Sequence, residues 1–202
     1  GTLKAITYKM PVASAQVKSA ILLAGLYACG KTKVIEPIKT RDHTERMLKV
    51  FKAGIKVKQN HIVIKGGRKL VSPGRIYIPG DISSASFFIT GAAILPNSRL
   101  LIKNVSLNPS RIGIINVLKR MGADIKVQKF TVRFPEPGGD ILIKSSKLKG
   151  ITVKKKEIPS LIDELPILMV AACLAKGKTV FEGVRELRVK ETDRIRSMQD
   201  NL

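Results

Sequence analysis

"SAQVKSAILLAGLYACGKTKVIEP", residues 14 to 37, reads as a helix of small and apolar residues, a turn at Gly30 and a β-rich strand. The same plan returns in "DISSASFFITGAAILPNSRLLIKNV", 81 to 105, and in "IDELPILMVAACLAKGKTVFEGV", 162 to 184. Each copy leads into a polar start and a second, amphipathic helix. These are "TRDHTERMLKVFKAGIKV" at 40 to 57, "NPSRIGIINVLKRMGADIKV" at 108 to 127 and "KETDRIRSMQDNL" at 190 to 202. In the first two copies that helix runs through Gly54 or Gly122 into alternating strands, "IKVKQNHIVIKGG" and "DIKVQKFTVRF". Copies spaced about 65 to 80 residues apart are too long for small solenoid repeats, so each is one βαβαββ block.

Local signals mark the block edges. Asp42 with Glu45 fits a capping box with Asp in place of Ser or Thr, Asp81 precedes the second small-residue helix, and Ser14 follows Pro11 as a cap for the first. "YIPGD" at 77 to 81 breaks the strand pattern and is expected to carry the chain from one domain to another. The third copy stops in mid-helix, and the first begins with no strand pattern of its own. The sequence therefore reads as a fragment of a longer repetitive chain.

A chain of 202 residues with 44% hydrophobic content can bury a real core. Its longest apolar runs, such as "LPILMVAACLA", are about half the length that crosses a bilayer, and no charged-then-apolar segment opens it. A soluble, unexported, cytoplasmic protein is expected. Cys29 and Cys173 each lie in an apolar run and are expected to be small buried hydrophobes in a reducing compartment.

Thirty-seven basic against fifteen acidic residues leave a net charge of +22, which favours anionic partners: nucleic acid, anionic lipid, or small phosphorylated or carboxylated substrates. Against nucleic acid stand 4% aromatic content, no Trp and lysines scattered over strands and turns. A generic lysine-rich surface explains the charge as well.

Polar residues that a pure scaffold does not need recur at the helix starts: Ser14 and Gln16, Arg41, Asp81, Asp163, then Lys190, Glu191 and Arg194. Helix N-termini offer unpaired N–H groups and a positive dipole end, suited to phosphate or carboxylate. Taken alone, Ser14 reads as an ordinary N-cap worth about 1 kcal/mol, and Arg41 as a surface arginine. Asp163 and Glu164 either start a helix favourably or supply a partly buried carboxylate tuned for proton transfer. "RVKETDR", 188 to 194, is by itself a charged turn. His43 and His61 are isolated, and "GKTK" at 30 to 33 lacks the first glycine of a phosphate loop, so nothing invokes a metal or ATP.

Five stretches, "PVASAQVKSAILLAGLYA", "TRDHTERML", "PGDISSASFFI", "IPSLIDELPIL" and "ELRVKETDRI", together resemble the 5-enolpyruvylshikimate-3-phosphate (EPSP) synthase family, in the family's order and over nearly the whole chain. The resemblance implies an α/β (α+β) fold in which repeated βαβαββ units form parts of a two-domain inside-out α/β barrel. Residues 1–79 would be the C-terminal part of one domain, and 80–202 part of the second, cut in mid-helix. It also implies the family's activity: transfer of the enolpyruvyl group of phosphoenolpyruvate to the 5-hydroxyl of shikimate 3-phosphate, with release of phosphate. No metal or organic cofactor, nucleic acid or membrane takes part, and the full-length enzyme is expected to be a monomer.

Carried over residue by residue, the resemblance gives Ser14, Ala15, Gln16, Arg41, Asp163 and Lys190 to shikimate 3-phosphate, and Gln16 and Arg194 to phosphoenolpyruvate. Asp163 would take the 5-hydroxyl proton, and Glu191 would handle the proton at the methylene carbon. Their separation, 191 minus 163 or 28 positions, matches the family. Arg188 and Asp193 keep the plain reading of solvated or structural charges. "MLKVFKAGIKV" departs from the family pattern after its helix, and the family's N-terminal, mid-chain and C-terminal contacts lie outside this stretch. The 202 residues alone are thus expected to have little or no activity. The alternatives are the related UDP-N-acetylglucosamine enolpyruvyl transferase and, from another class, a basic RNA-binding module, which has no use for Asp163 and Glu191.

Overall fold

The computed structural model of the chain describes residues 1–129 and 135–202. It divides into two units, one built on Gly1–Tyr77 and the other on most of the chain from Ile78 to Leu202.

The first unit runs β1 (Thr7–Lys9), α1 (Ala15–Gly25), β2 (Lys31–Ile35), α2 (His43–Val50), β3 (Gly54–Lys58) and β4 (His61–Lys65). Its sheet has the order β1-β2-β4-β3, with β1 parallel to β2 and the other pairs antiparallel. Strand alternation sorts the side chains by face. Thr32, Val34, Ile55, Ile62 and Ile64 turn inward and are buried, with α1 packed on β2 and β4 and α2 on β3. The opposite face carries Lys9, Lys31, Lys33, Lys56, Lys58 and Lys65, and the four strands contain no carboxylate. The first block does have a leading strand: β1, three residues long, is too short for its alternation to show in the sequence.

The second unit runs α3 (Ile82–Ile94), β5 (Arg99–Ser106), α4 (Gly113–Arg120), β6 (Asp124–Lys129), β7 (Gly138–Lys144), β8 (Thr152–Val153), α5 (Leu165–Cys173), β9 (Val180–Phe181) and α6 (Arg194–Asn201). An antiparallel sheet of order β5-β7-β6 and a short parallel pair, β8-β9, frame the helices. Ile89, Ile114, Leu118, Ile141, Ile143, Leu165 and Leu168 form its core. The strand expected over 124 to 134 is β6 as far as Lys129, and residues 130–134 lie outside the described ones.

A bulge in β5 between Ile102 and Val105 fixes the entry to α3. Asn104 takes φ +57°, its N–H donates to Asp140 Oδ1 at 2.8 Å, and its carbonyl accepts from Gly80 N–H at 2.7 Å. The next residue, Asp81, then caps α3 by accepting from Ser84 N–H at 2.9 Å.

The two amphipathic helices end alike, one with the expected glycine and one without. After α4, Gly122 is the left-handed residue at φ +100°; after α2 it is Lys52, at φ +56°, while Gly54 already belongs to β3. The N–H groups of Ala53 and Ala123 reach back to Leu48 and Leu118 at 2.9 Å, the bond that closes a Schellman-type end. Lys52 thus does in one block what Gly122 does in the other.

Both cysteines are exposed, contrary to expectation. Cys29 sits in the turn after α1 and Cys173 at the last position of α5, beyond the buried stripe of either helix. Among the described residues no helix is long and apolar enough to cross a membrane.

Candidate functional site

The sequence-predicted residues fall into two groups, one in each unit. In the first, Ser14 holds an extended conformation and accepts from Val17 N–H at 3.3 Å, so it is the N-cap of α1. Just past it, Ala15 and Gln16 line a cavity of about 250 Å³ with Ser19, Arg41, His43 and Thr44. Ala15 and Ser19 are four apart on α1 and share that face. Arg41, His43 and Thr44 come from the loop into α2 and its first turn, and Ser19 Oγ and Thr44 Oγ1 meet at 2.7 Å.

The expected capping box at Asp42 does not form. Asp42 makes no side-chain cap bond; its Oδ1 accepts from Arg46 Nε at 2.8 Å instead. Glu45 turns inward, because a fully buried lysine on α1, Lys18, places its ammonium 2.7 Å from Glu45 Oε1. The sequence reading passed over Lys18.

In the second unit the 3₁₀ turn at Ile162–Glu164 delivers two carboxylates side by side, and the 3₁₀ turn at Arg185–Val189 leads into "KETDR". Asp163 faces two guanidiniums: its Oδ2 lies 3.8 Å from Arg111 Nη1 and its Oδ1 3.7 Å from Arg194 Nη1. These separations exceed a hydrogen bond, so along those lines the arginines act as charges. Arg194 also donates to Glu191 Oε2 at 2.7 Å. Asp163, Glu191 and Arg194 therefore form one connected group. Lys190 pairs instead with Glu186, at 2.6 Å. Arg188 and Asp193 are structural: they pair at 2.7 Å, and Asp193 caps α6 through the N–H groups of Ile195 and Arg196.

Arg111, which the sequence reading did not single out, organises this group. Its guanidinium hydrogen-bonds Ser83 Oγ and lies 3.3 Å from Glu164 Oε1 and 3.8 Å from Asp81 Oδ1. Ser83 Oγ in turn donates to Glu164 Oε1 at 2.5 Å. Close packing at Gly113 brings Arg111 there. A Cβ on that glycine would stand 2.8 Å from the Ser160 carbonyl oxygen and 2.9 Å from Leu161 Cβ, so only glycine lets α4 approach the segment that carries Asp163. One local signal existed: an arginine just before a helix N-terminus opposes the dipole, and such a position asks for a carboxylate partner.

The carboxyls differ in electrostatics. Burial pushes Glu164 above its ordinary value, and the Ser83 hydroxyl and Arg111 only partly offset it. For Asp81 burial also acts upward, but it is outweighed by the Ser84 and Ser83 backbone N–H groups, the Ser84 hydroxyl and Arg111, and the carboxyl lies below its ordinary value. Glu191 is held low by a hydrogen bond to its own backbone, then by Arg194. It stands as a carboxylate at neutral pH, and a weak base for as long as Arg194 holds it. Among the described residues, no three His, Cys, Asp or Glu gather as metal ligands.

Comparison with known proteins agrees over the full length of the chain. The family model described as EPSP synthase (3-phosphoshikimate 1-carboxyvinyltransferase) matches residues 1–202. A curated 3-phosphoshikimate 1-carboxyvinyltransferase of Petrotoga mobilis is 58% identical over 98% of this chain and 46% of its own length. One of Geotalea daltonii is 55% identical over 100% and 47%. The chain thus spans about half the length of the curated relatives it matches. A solved structure of an EPSP synthase from Acinetobacter baumannii superposes with a TM-score of 0.87 at 51% identity, over 100% of this chain and 45% of that one. An enolpyruvyl transferase from Streptomyces tendae, at 18% identity and a TM-score of 0.64 over 87% of this chain and 43% of its own, shares the fold.

Proposed function

Because the chain belongs to the EPSP synthase family, we propose that it is part of an enzyme that joins phosphoenolpyruvate to shikimate 3-phosphate. Residues 1–79 and 80–202 would belong to its two domains, and the complete enzyme is read as a cytoplasmic monomer. The observation that carries the proposal is the Asp163–Arg194–Glu191 group, a carboxylate beside a guanidinium that a second carboxylate also holds.

The chemistry needs a base at oxygen, a proton at carbon and cations around several negative charges. The 5-hydroxyl oxygen of shikimate 3-phosphate bonds to C2 of phosphoenolpyruvate as its proton passes to Asp163. The C2–C3 electron pair takes a proton at the methylene carbon, which gives a tetrahedral intermediate. Loss of a proton from the resulting methyl group re-forms the double bond and expels phosphate. In this reading Glu191 serves the methylene carbon. Its side chain is 75% exposed, against 33% for Asp163, so it is the partner of Arg194 that an incoming anion displaces more readily. Arg194 would then hold phosphoenolpyruvate and release Glu191 to exchange protons. Ser14, Ala15, Gln16 and Arg41, together with Lys190, would hold shikimate 3-phosphate. No step calls for a metal or organic cofactor.

The test uses the longer protein that carries these residues, assayed by phosphate release. Asp163→Asn is expected to lower kcat about 10²–10⁴-fold, the usual contribution of an acid–base group, without loss of fold. A kcat within a few-fold of the parent would remove Asp163 from the mechanism. Calorimetric binding of shikimate 3-phosphate rather than a UDP-sugar separates this activity from UDP-N-acetylglucosamine enolpyruvyl transfer.

A further inference from the structure

Lys18 occupies a position that a helix in a small sheet unit ordinarily gives to an apolar residue. It shares the buried stripe of α1 with Leu22 and Gly25, and its side chain is 0% exposed. Placing an ammonium there costs stability that a methionine of similar length would not, unless every N–H finds an acceptor. Each does. Nζ lies 2.7 Å from Glu45 Oε1, 3.2 Å from Glu36 Oε1 and 2.8 Å from the carbonyl oxygen of Arg41. Glu36 Oε1 also accepts from Thr40 N–H at 3.1 Å and from the Thr40 hydroxyl at 2.5 Å. The chain from Glu36 to Glu45 is therefore tied to α1 at its beginning, at Arg41 and at its end, with the Ser19–Thr44 bond beside the last tie.

The outcome of this arrangement is the position of Arg41. An arginine on a loop has a free choice of backbone place, yet here its own carbonyl is gripped from inside the unit, and the residue lines one cavity with Ala15 and Gln16. Packing alone does not require it: the loop could close over an apolar residue at position 18, but the bond from Lys18 to that carbonyl would then be lost. Lys18 itself does not line the cavity, so it cannot touch a ligand there.

We propose that Lys18, with Glu36 and Glu45, is a positioning device that holds Arg41 against the N-terminus of α1 and so builds one half of a site for a phosphate-bearing anion. This rests on the reading that Ala15, Gln16 and Arg41 bind shikimate 3-phosphate. Lys18→Met leaves two buried carboxylates facing each other and risks unfolding, so it is paired with Lys18→Met/Glu36→Gln/Glu45→Gln, which carries no uncompensated charge. Ile62→Ala, in the core of the same sheet and away from the cavity, serves as the control for general destabilisation.

In the longer protein the triple variant is expected to stay folded by circular dichroism and to raise the KM for shikimate 3-phosphate at least tenfold. The KM for phosphoenolpyruvate and kcat should stay within about threefold, and Ile62→Ala should move neither KM. A folded triple variant whose KM for shikimate 3-phosphate stays within twofold of the parent overturns the positioning role and leaves the functional reading standing. A parent that does not bind shikimate 3-phosphate by calorimetry overturns both.

Discussion

Removing Arg111 tests whether the acidic group of the second unit is held together as described. Arg111→Met leaves Glu164, whose side chain is 1% exposed, with the Ser83 hydroxyl and its own backbone N–H as donors. Breaking a buried pair by deleting one partner costs about 3–5 kcal/mol, and the surviving hydroxyl puts the expected loss near the lower end, ~3 kcal/mol at neutral pH. Asp81 and Asp163 also lose a cation, but at 3.8 Å and with 56% and 33% exposure they add little. For a domain of this size ~3 kcal/mol is a fall in Tm of about 10 °C, read by scanning calorimetry on the longer protein.

The pH dependence gives the sharper check. Glu164 has its folded pKa raised above the ordinary 4.5, and loss of Arg111 removes a lowering influence, so it rises further. The unfolded chain releases this proton first as pH rises, so stability falls from the ordinary value up to the raised one and then levels off. The deficit of Arg111→Met is therefore largest above the raised value and shrinks as pH falls toward 4.5. Adding Glu164→Gln, which has no charge to strand, should recover most of it. A deficit equal at acidic and neutral pH, or a double variant no more stable than the single one, would refute the account.

Two further outcomes follow from particular residues. Lys52→Gly should stabilise the first unit by ~0.5–1 kcal/mol, because glycine takes the left-handed conformation without a Cβ clash, while Gly122→Ala should cost about 1 kcal/mol or more; added Cβ contact at Gly122 is ordinary, 3.5 Å to the Lys147 carbonyl, so backbone conformation alone carries that cost. A Lys52→Gly variant no more stable than the parent, or a Gly122→Ala variant that loses nothing, would dismiss the shared turn. The Glu191 carboxyl, followed by carbon NMR, should titrate below its ordinary 4.5 and shift upward in Arg194→Gln, and an unchanged midpoint would mean that the pair does not persist in solution.

Much of the fold was legible because its signals are local. The small-residue helices α1, α3 and α5, the caps at Ser14 and Asp81 and the strands after each turn follow from period and punctuation within one block. The site was half legible for the same reason. Asp163, Glu191 and Arg194 stand at helix and turn entrances, where charge is conspicuous. Arg111 escaped because its partners Ser83, Asp163 and Glu164 lie 28, 52 and 53 positions away, a relation that no spacing rule records. Lys18 could have been found: it falls four and seven positions before Leu22 and Gly25, on the stripe that the helix buries. Reading Glu45 as half of a capping box hid it, since the carboxylate assigned to the helix end belongs to that lysine.

The lysine-covered face of the first sheet bears on how molecules of this protein meet. Along β3, which has a single strand neighbour among the described residues, Lys56 and Lys58 stand exposed. A strand arriving alongside β3 from another molecule would bring its own side chains against two ammonium groups, with Lys65 on the adjacent strand. Two copies of β3 laid edge to edge would confront lysine with lysine. That contact is repulsive, and the repulsion weakens as salt screens it.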